Sequence, residues 1–589
     1  MNSAEIAKPP QPLKLLISRL AIAWIALAVL LTGIAGLQSL RSGVLGEVDY
    51  YMWGQDVAVL AGVGWVLATW RLAPQFRWRL PELLSARPAW WLVLLAAAAC
   101  AIAAWLGHWF VFEGYALTRD EDLALFHARS LAEGVLVPAV PTIWRDYAQA
   151  LQPMFMTVAG PDVWLPSYLP VNAALQALGV ALGDSSLSSA ALAAVALSAT
   201  YAVGRRLWPE QPKLALMATA LLATSAQFVI AAMTPYAMTA HLALNMVWLW
   251  LFLRGATLGH LGALATGLLA CGLHQLVFHP LFVGPFVLQL WMQRRFRLAL
   301  LYTAAYAGIC LFWVLYWRFV MSYTPLPSEA AHAHGAGWFT RQVVDLVSRF
   351  DLNAVGLMAK NLVRFITWQN PLVAPLVLLG GAAAFRSGGV MRSLLLGLVL
   401  TIIAMFLLLP NQGAGWGYRY LHGFLGSSVL LATWCFQKLT DKPAEEAELG
   451  SLLGVATVAA VCLLLPLRAW QVHDFIHPYA AASRAISTAG TDAVIVNDFN
   501  IWQGVRLVRN EPNLQRRPVI LRLRELDDDK IRRLCRGRRI AVFQTSDGAR
   551  LGLHTQREPS ETRAAREAAT LQRLRRDGCS VQARVAGEA

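Results

Sequence analysis

Apolar runs of the length a bilayer requires, about 20 residues, recur near 17–40, 54–70, 89–112, 186–206, 213–232, 237–254, 257–273, 276–292, 298–320, 371–387, 392–410, 419–437 and 450–467. Several are short for a span. One further stretch, "PSYLPVNAALQALGVALG" (166–183), is ambiguous by apolarity alone, and the polar positions decide it. If 166–183 does not span, the basic clusters fall on one side. Arg71, Arg77, Arg79 and Arg87, Arg205, Arg206 and Lys213, and Arg254 then join Lys8 and Lys14, as do Arg294, Arg295 and Arg297, Arg386 and Arg392, and Lys438 and Lys442. If it does span, the pattern inverts halfway. Basic residues mark the cytoplasmic side, so 166–183 is predicted to lie in the interface on the outer face. That threading gives about thirteen spans, with the N-terminus inside and the C-terminus outside.

After 467 the pattern changes. Residues 470–589 are Arg-rich, and the strand-like runs "AVIVND" and "RRIAVF" alternate with charged helical segments such as "ETRAAREAATLQRLRRDG". The prediction is a mainly α, polytopic helix bundle followed by a small extracytoplasmic α/β domain. The division is 1–88 for two N-terminal spans, 89–440 for a transmembrane core, 441–469 for the last span and 470–589 for the soluble domain. Residues 113–185 form the first external loop.

Composition agrees. Of 589 residues 57% are apolar and 14% charged, against roughly 25% charged in soluble proteins. The net charge of +15 would suit nucleic acid, but it sits in short clusters between apolar runs, so membrane lipid and not nucleic acid is the predicted partner. The first run is too long for a signal-peptide core and reads as a retained span. Five of the seven cysteines lie in apolar runs; Cys535 and Cys579 could pair if their domain is extracytoplasmic.

The same threading sorts the titratable groups. Asp56, Glu113, Asp120, Glu121, Asp122, His241, His274, His279, Arg318, Arg419 and His422 fall outside or at outer helix ends, and the span centres hold almost none. An ion-coupled transporter keeps a carboxylate near the midplane. Here the chemistry points to the outer boundary.

Three stretches carry that chemistry. In "GYALTRDEDLALFHARSLAEG" (114–134), Asp120 and His127 share a helix face while Glu121 points about a quarter-turn away. Helix capping explains one acid, or two, but not three in a row. In "GWGYRYLHG", Arg419 lies among glycines at an outer helix start, with Trp416, Tyr418 and Tyr420 beside it. It suits either a phosphate or an interfacial Arg–Tyr belt. Arg318 is a weaker phosphate candidate against simple snorkelling. "GLHQLVFHPLF" puts His274 and His279 at an outer turn, where substrate contact, metal ligation and ordinary interfacial histidine all remain open. Tyr168 and Trp416 are candidates to stack on a sugar, or members of the aromatic belt. His332 and His334, in "EAAHAHGAGW", are metal ligands or part of a mobile loop, and Arg349 with Arg364 suggests a lid over lipid headgroups.

Together, the outward "DE" after a span, "HARSLAEG", the stretch "SYLPVNAALQALGVALGDSSLSSAALAAVALSATYAVGRRLW" and "GWGYRYL" resemble the GT-C glycosyltransferases. These integral-membrane enzymes include protein mannosyltransferases and lipid A aminoarabinose transferases. The likeness covers roughly 90–440, and the two spans before it look like an addition.

What the resemblance implies is a sugar passed from a polyprenyl-phosphate donor to a lipid, glycan or protein acceptor. The place implied is the outer face of a bacterial cytoplasmic (inner) membrane, with the C-terminal domain periplasmic. A phosphate leaves without protonation, so one carboxylate base suffices and in-line attack inverts the anomeric centre. Asp120 is then the base, Glu121 second to it and His127 an orienter or alternative base. Arg419, with Arg318, Tyr418 and Tyr420, would meet the donor phosphate, and His274, His279, His241, Tyr168 and Trp416 would contact substrate. His241 stands where relatives carry a second acidic residue that helps bind a divalent ion, yet 231–241 has neither Asp nor Glu. A Mg or Mn cofactor is therefore in doubt, with Asp122 and Glu121 as its candidate ligands. The alternative function is a non-catalytic flippase or transporter of lipid-linked glycans, which needs no base; a scaffold acting through 470–589 is a further one.

Overall fold

The computed structural model describes residues 12–42, 47–70, 90–151, 156–158, 163–323, 352–440, 443–555 and 560–582. The chain is a polytopic helix bundle with a small α/β unit at its C-terminal end. Among the described residues, six helices are long and apolar enough to cross a membrane: Ser18–Ser42, Trp90–Phe110, Ser186–Leu207, Phe296–Ser322, Gly389–Leu408 and Glu445–Ser487. Trp90–Phe110, with 21 residues, is about 31 Å long at 1.5 Å per residue, the thickness of a hydrocarbon core.

The remaining predicted spans are shorter, and their ends matter. The run 213–232 divides into Pro212–Ala223 and Ala226–Ala231. The Ser225 hydroxyl accepts from the Phe228 amide, which starts a new helix, while the Gln227 amide donates to the Trp368 carbonyl. The run 419–437 opens with a 3-10 turn, Arg419–Phe424, before the helix Leu425–Leu439. Thr257–Cys271 and Phe278–Met292 flank a non-helical turn at 272–277. Irregular backbone inside a membrane bundle is tolerated where protein or a cavity surrounds it. Two of these breaks carry His274 and Arg419, and Tyr236 ends the non-helical stretch 232–236 that follows Ala231.

The N-terminal helices are fastened to the core by buried ion pairs. Lys360 of Leu352–Thr367 bonds to Asp49 and to Gln38, and Arg468 meets Asp56 at 2.6 Å with both side chains fully buried. Removing one partner of such a pair leaves an uncompensated charge, at a cost of about 3–5 kcal/mol. Arg364, placed by the sequence in a headgroup lid, instead turns inward, 4.5 Å over the Tyr51 ring and bonded to the Gly415 carbonyl. Arg349, His332 and His334 lie outside the described residues.

The 113–185 loop, hereafter the first loop, holds the helix Arg119–Ala132 and the 11-residue helix Val171–Ala181. At about 16 Å the latter is too short to cross a bilayer. It packs on Arg119–Ala132, and its first amides donate to the 272–274 turn: Val171 N to Gly272 O is 3.0 Å.

The last long helix runs past 469 to Ser487, so the sheet unit begins at Ala493. Its strands are β3 (Ala493–Val496), β4 (Val519–Arg522), β5 (Arg539–Phe543) and β6 (Ser580–Gln582); β1 (Met156–Val158) and β2 (Trp164–Pro166) form a separate hairpin in the first loop. The sheet order is β4-β3-β5-β6, parallel throughout. The buried runs "AVIV" and "IAVF" suit a sheet covered on both faces. Cys535 and Cys579 are joined as a disulfide. One hydrophobic core unites Leu123, Phe126, Trp144 and Leu151 of the first loop with Ala493, Val519, Leu521 and Ile531 of the sheet unit. The C-terminal unit thus rests on the loop that carries the acidic trio.

Candidate active site

The helix Arg119–Ala132 starts where Thr118, in extended backbone, caps it. The Glu121 amide donates to the Thr118 hydroxyl at 3.2 Å, and the Thr118 amide donates to Glu121 Oε2 at 2.6 Å. This is a capping box. It fixes Glu121 inward and fully buried, and desolvation pushes its carboxyl up to about 7. Asp122 turns the other way, 3.8 Å from Arg509 of the C-terminal unit. The Arg509 guanidinium lies 3.7 Å from the Tyr115 ring centre and bonds to the Ala116 carbonyl. The three acids therefore do three different jobs.

Asp120 is the one that faces the site. It is buried, and it accepts from the Tyr168 hydroxyl through Oδ1 and from the Tyr236 hydroxyl through Oδ2 at 2.5 Å. Arg419 Nη1 reaches the same Oδ2 at 2.5 Å. Arg419 also bonds to the Tyr236 hydroxyl and, through Nη2, to the Tyr420 hydroxyl at 3.1 Å, while its buried Nε has no hydrogen-bond partner. A free guanidinium donor beside a replaceable carboxylate is what an incoming phosphate would engage.

Arg419 is positioned by a glycine-rich turn and two glutamines. Gln227 bridges Tyr418, donating to its carbonyl at 2.9 Å and accepting from its amide at 3.2 Å. Gln412 accepts from the Arg419 amide at 3.0 Å and donates to the Gly417 carbonyl at 3.1 Å. Gly417 takes φ +65°, and a Cβ there would overlap the Gln227 side chain.

Histidines line the inner side. The His274 ring stacks on Tyr168 at 3.8 Å between centres, and burial pushes its imidazole below the usual range despite nearby Asp120. His241 shares a narrow cavity with Tyr420, Phe278 and Asn245. His241, His274 and His422 are buried with neither ring nitrogen hydrogen-bonded. Each unpaired buried polar group costs about 1–3 kcal/mol, so these three rings are poised for a ligand or water.

Asp120, Arg419, Tyr168, Tyr420 and His274 are therefore brought together, with His241 alongside. Other predicted residues do not join them. His127 bonds to the Leu136 carbonyl at 3.1 Å and faces Trp317; burial pushes it down to about 4, and it bridges the loop to a span. His279 is satisfied by Asn245 at 2.7 Å and Tyr306 at 2.9 Å, which makes it a packing residue. Trp416 lies in an aromatic core with Tyr51, Phe112 and Phe475. Tyr418 offers its backbone, not its ring, to the site, its hydroxyl facing Met358. Arg318 is exposed on Phe296–Ser322, as snorkelling requires. Glu121 and Asp122 diverge, so they do not fit a Mg or Mn ion, and among the described residues no metal-competent cluster includes the trio.

Sequence reasoning missed Tyr236, Gln227, Gln412 and His422 as site residues. Tyr236 had a signal, an aromatic after proline at a helix start in "TPYAMTAHL". The glutamines had none, because their role exists only once the 411–419 turn has folded against them.

No family model matches the chain, and no curated protein matches it. Among solved structures, the crystal structure of ArnT from Cupriavidus metallidurans bound to undecaprenyl phosphate aligns with a TM-score of 0.47 at 12% identity, over 79% of this chain and 88% of that one. ArnT from the same organism in the apo state gives 0.44 at 12% identity, over 72% and 85%. Residue roles below rest on the geometry of this chain.

Proposed function

We propose that the protein is a membrane glycosyltransferase that moves a sugar from a polyprenyl-phosphate donor to a hydroxyl or amine acceptor, with inversion, at the outer face of the cytoplasmic membrane. The observation that carries this reading is the buried pairing of Asp120 with Arg419, ringed by Tyr168, Tyr236 and Tyr420.

The chemistry follows from that pairing. Asp120 accepts from two phenols and a guanidinium, so its oxygens are occupied at rest. The donor phosphate competes for Arg419 and draws the guanidinium away. Asp120, released from the guanidinium, then has an oxygen open to a proton. It takes the acceptor proton while the acceptor oxygen or nitrogen bonds to the anomeric carbon, and the bond from that carbon to the phosphate oxygen breaks. The released polyprenyl phosphate keeps the electron pair, and Arg419 holds its charge.

The test is Asp120→Asn in proteoliposomes supplied with polyprenyl-phosphate sugars extracted from the native membrane. An enzyme loses transfer of labelled sugar by about 100-fold or more and retains donor binding. Unchanged movement of sugar lipid across the bilayer, with no glycosylated product from either protein, identifies a carrier instead.

A further inference from the structure

A second cluster lies apart from Asp120. The helix Leu465–Ser487 leaves the bundle and leads to β3, and on it His473 and His477 are one turn apart and share a face. Opposite them stands Glu113, just beyond the C-terminal end of Trp90–Phe110. Its Oε1 is 2.6 Å from His477 Nδ1 and 3.7 Å from His473 Nδ1, and one ligand atom from each of the three side chains lies within 4.8 Å of the others.

We propose that Glu113, His473 and His477 form a Zn²⁺ site that fastens the start of the first loop to the helix carrying the C-terminal unit.

The donor set selects the ion. Two imidazoles and one carboxylate suit Zn²⁺, whereas Mg²⁺ and Ca²⁺ require oxygen ligands. Three protein ligands leave a fourth position for water. With zinc–ligand bonds near 2.0–2.1 Å, tetrahedral ligand atoms stand about 3.4 Å apart, a spacing bracketed by the 2.6 and 3.7 Å separations here. Both Glu113–histidine separations differ from that spacing by less than about 1 Å, and the His477 side chain, 55% exposed, has room to adjust.

The surroundings supply the outer contacts such sites use. Arg484 Nη1 holds Glu113 Oε2 at 2.5 Å, which orients the carboxylate and leaves Oε1 facing the histidines. The Val111 carbonyl lies 3.3 Å from the same His473 Nδ1, a long contact that an ion bound there would replace. The Arg484 charge opposes a cation, and the Glu113 carboxylate offsets it.

The location gives the site a role. Two residues after Glu113, the Tyr115 hydroxyl donates to the Arg506 carbonyl at 2.9 Å, and next to it Arg509 bonds to the Ala116 carbonyl. The same short segment, which leads directly into the helix bearing Asp120, is thus held by the C-terminal unit. A metal at Glu113 adds the third fastening point of that joint.

The experiment uses tag-free, full-length protein in detergent, stripped with EDTA and dialysed. Zn²⁺ is titrated by calorimetry, and Co²⁺ is followed by its visible absorption. Wild type is expected to bind one equivalent and to gain thermal stability with it. His473→Ala and His477→Ala each weaken the affinity at least about tenfold and lose the Co²⁺ band, while His332→Ala/His334→Ala leaves both intact. Absence of saturable Zn²⁺ binding to wild type overturns the proposal without recourse to any variant. So does binding that survives in the His473 and His477 variants, or that disappears in the His332/His334 pair.

Discussion

Asp120 and Arg419 are 299 positions apart in the chain and 2.5 Å apart in space. Their partnership is self-cancelling: the carboxylate occupies the guanidinium face that a phosphate would need. Asp120→Asn should therefore tighten the binding of a short-chain polyprenyl phosphate several-fold even as it abolishes transfer. Arg419→Ala should weaken that binding by about 10- to 100-fold, the worth of one charge-assisted contact. Both numbers come from titrating detergent-solubilised protein with the phosphate. If neither substitution changes affinity, the phosphate binds elsewhere and the masking idea is wrong.

Glu121 yields a pH dependence. Its folded carboxyl titrates at about 7 instead of the ordinary 4.5, because burial disfavours the anion. The native state then holds more protons than the unfolded chain between those values, so stability falls as pH rises through that window. The full loss is roughly 3 kcal/mol and is complete above pH 7. Glu121→Gln keeps an oxygen to accept from the Thr118 amide and carries no titrating group. Its melting temperature should exceed wild type at pH 8 and approach it near pH 5. A constant offset at both pH values would place the effect in lost packing and not in ionisation.

The bundle was legible in the sequence because lipid solvation writes itself into long apolar runs and one-sided arginines. The site was legible only in part. Asp120 and Arg419 stood out since charge at a membrane boundary is costly, and Tyr168 and His274 because the threading placed them in turns on the same side. Glu121 stood second to Asp120 as a candidate base, but a Thr three residues before a Glu is also a capping box, and that local bond decided its direction. His127 shared Asp120's helix face yet sits seven residues away, about 10 Å along the axis, where Trp317 and the Leu136 carbonyl claim it. Helical periodicity gives a face, not a depth along it.

The 411–419 turn makes a matched pair of glycine predictions. Gly413 and Gly417 both have left-handed backbone, φ +63° and +65°. Nothing lies within 4 Å of a Cβ at Gly413, whereas at Gly417 it would strike Gln227. Gly413→Ala should cost only the backbone term, about 1–2 kcal/mol, and leave phosphate affinity near wild type. Gly417→Ala should add a packing penalty of about 1–3 kcal/mol and lose phosphate affinity, because Gln227 also holds the Tyr418 backbone that aims Arg419. Equal effects on melting and binding would show that the glutamine does not position the arginine.

The Cys535–Cys579 disulfide closes a 44-residue separation within the C-terminal unit. In the chain-entropy account such a link stabilises a fold by about 2–4 kcal/mol, and it persists only in an oxidising compartment. Its redox state in cells therefore reports on sidedness. Because the unit shares a core with the first loop, it also reports the side on which Asp120 lies. In intact cells treated with a thiol-reactive polymer, wild type and Cys535→Ser/Cys579→Ser should show the same labelling. A wild-type increment of two adducts should appear only after reductant is added. Reductant should also lower the melting temperature of wild type and leave that of the double variant unchanged. Two extra adducts without reductant would put the C-terminal unit in a reducing compartment, and the proposed outer-face chemistry would lose its location.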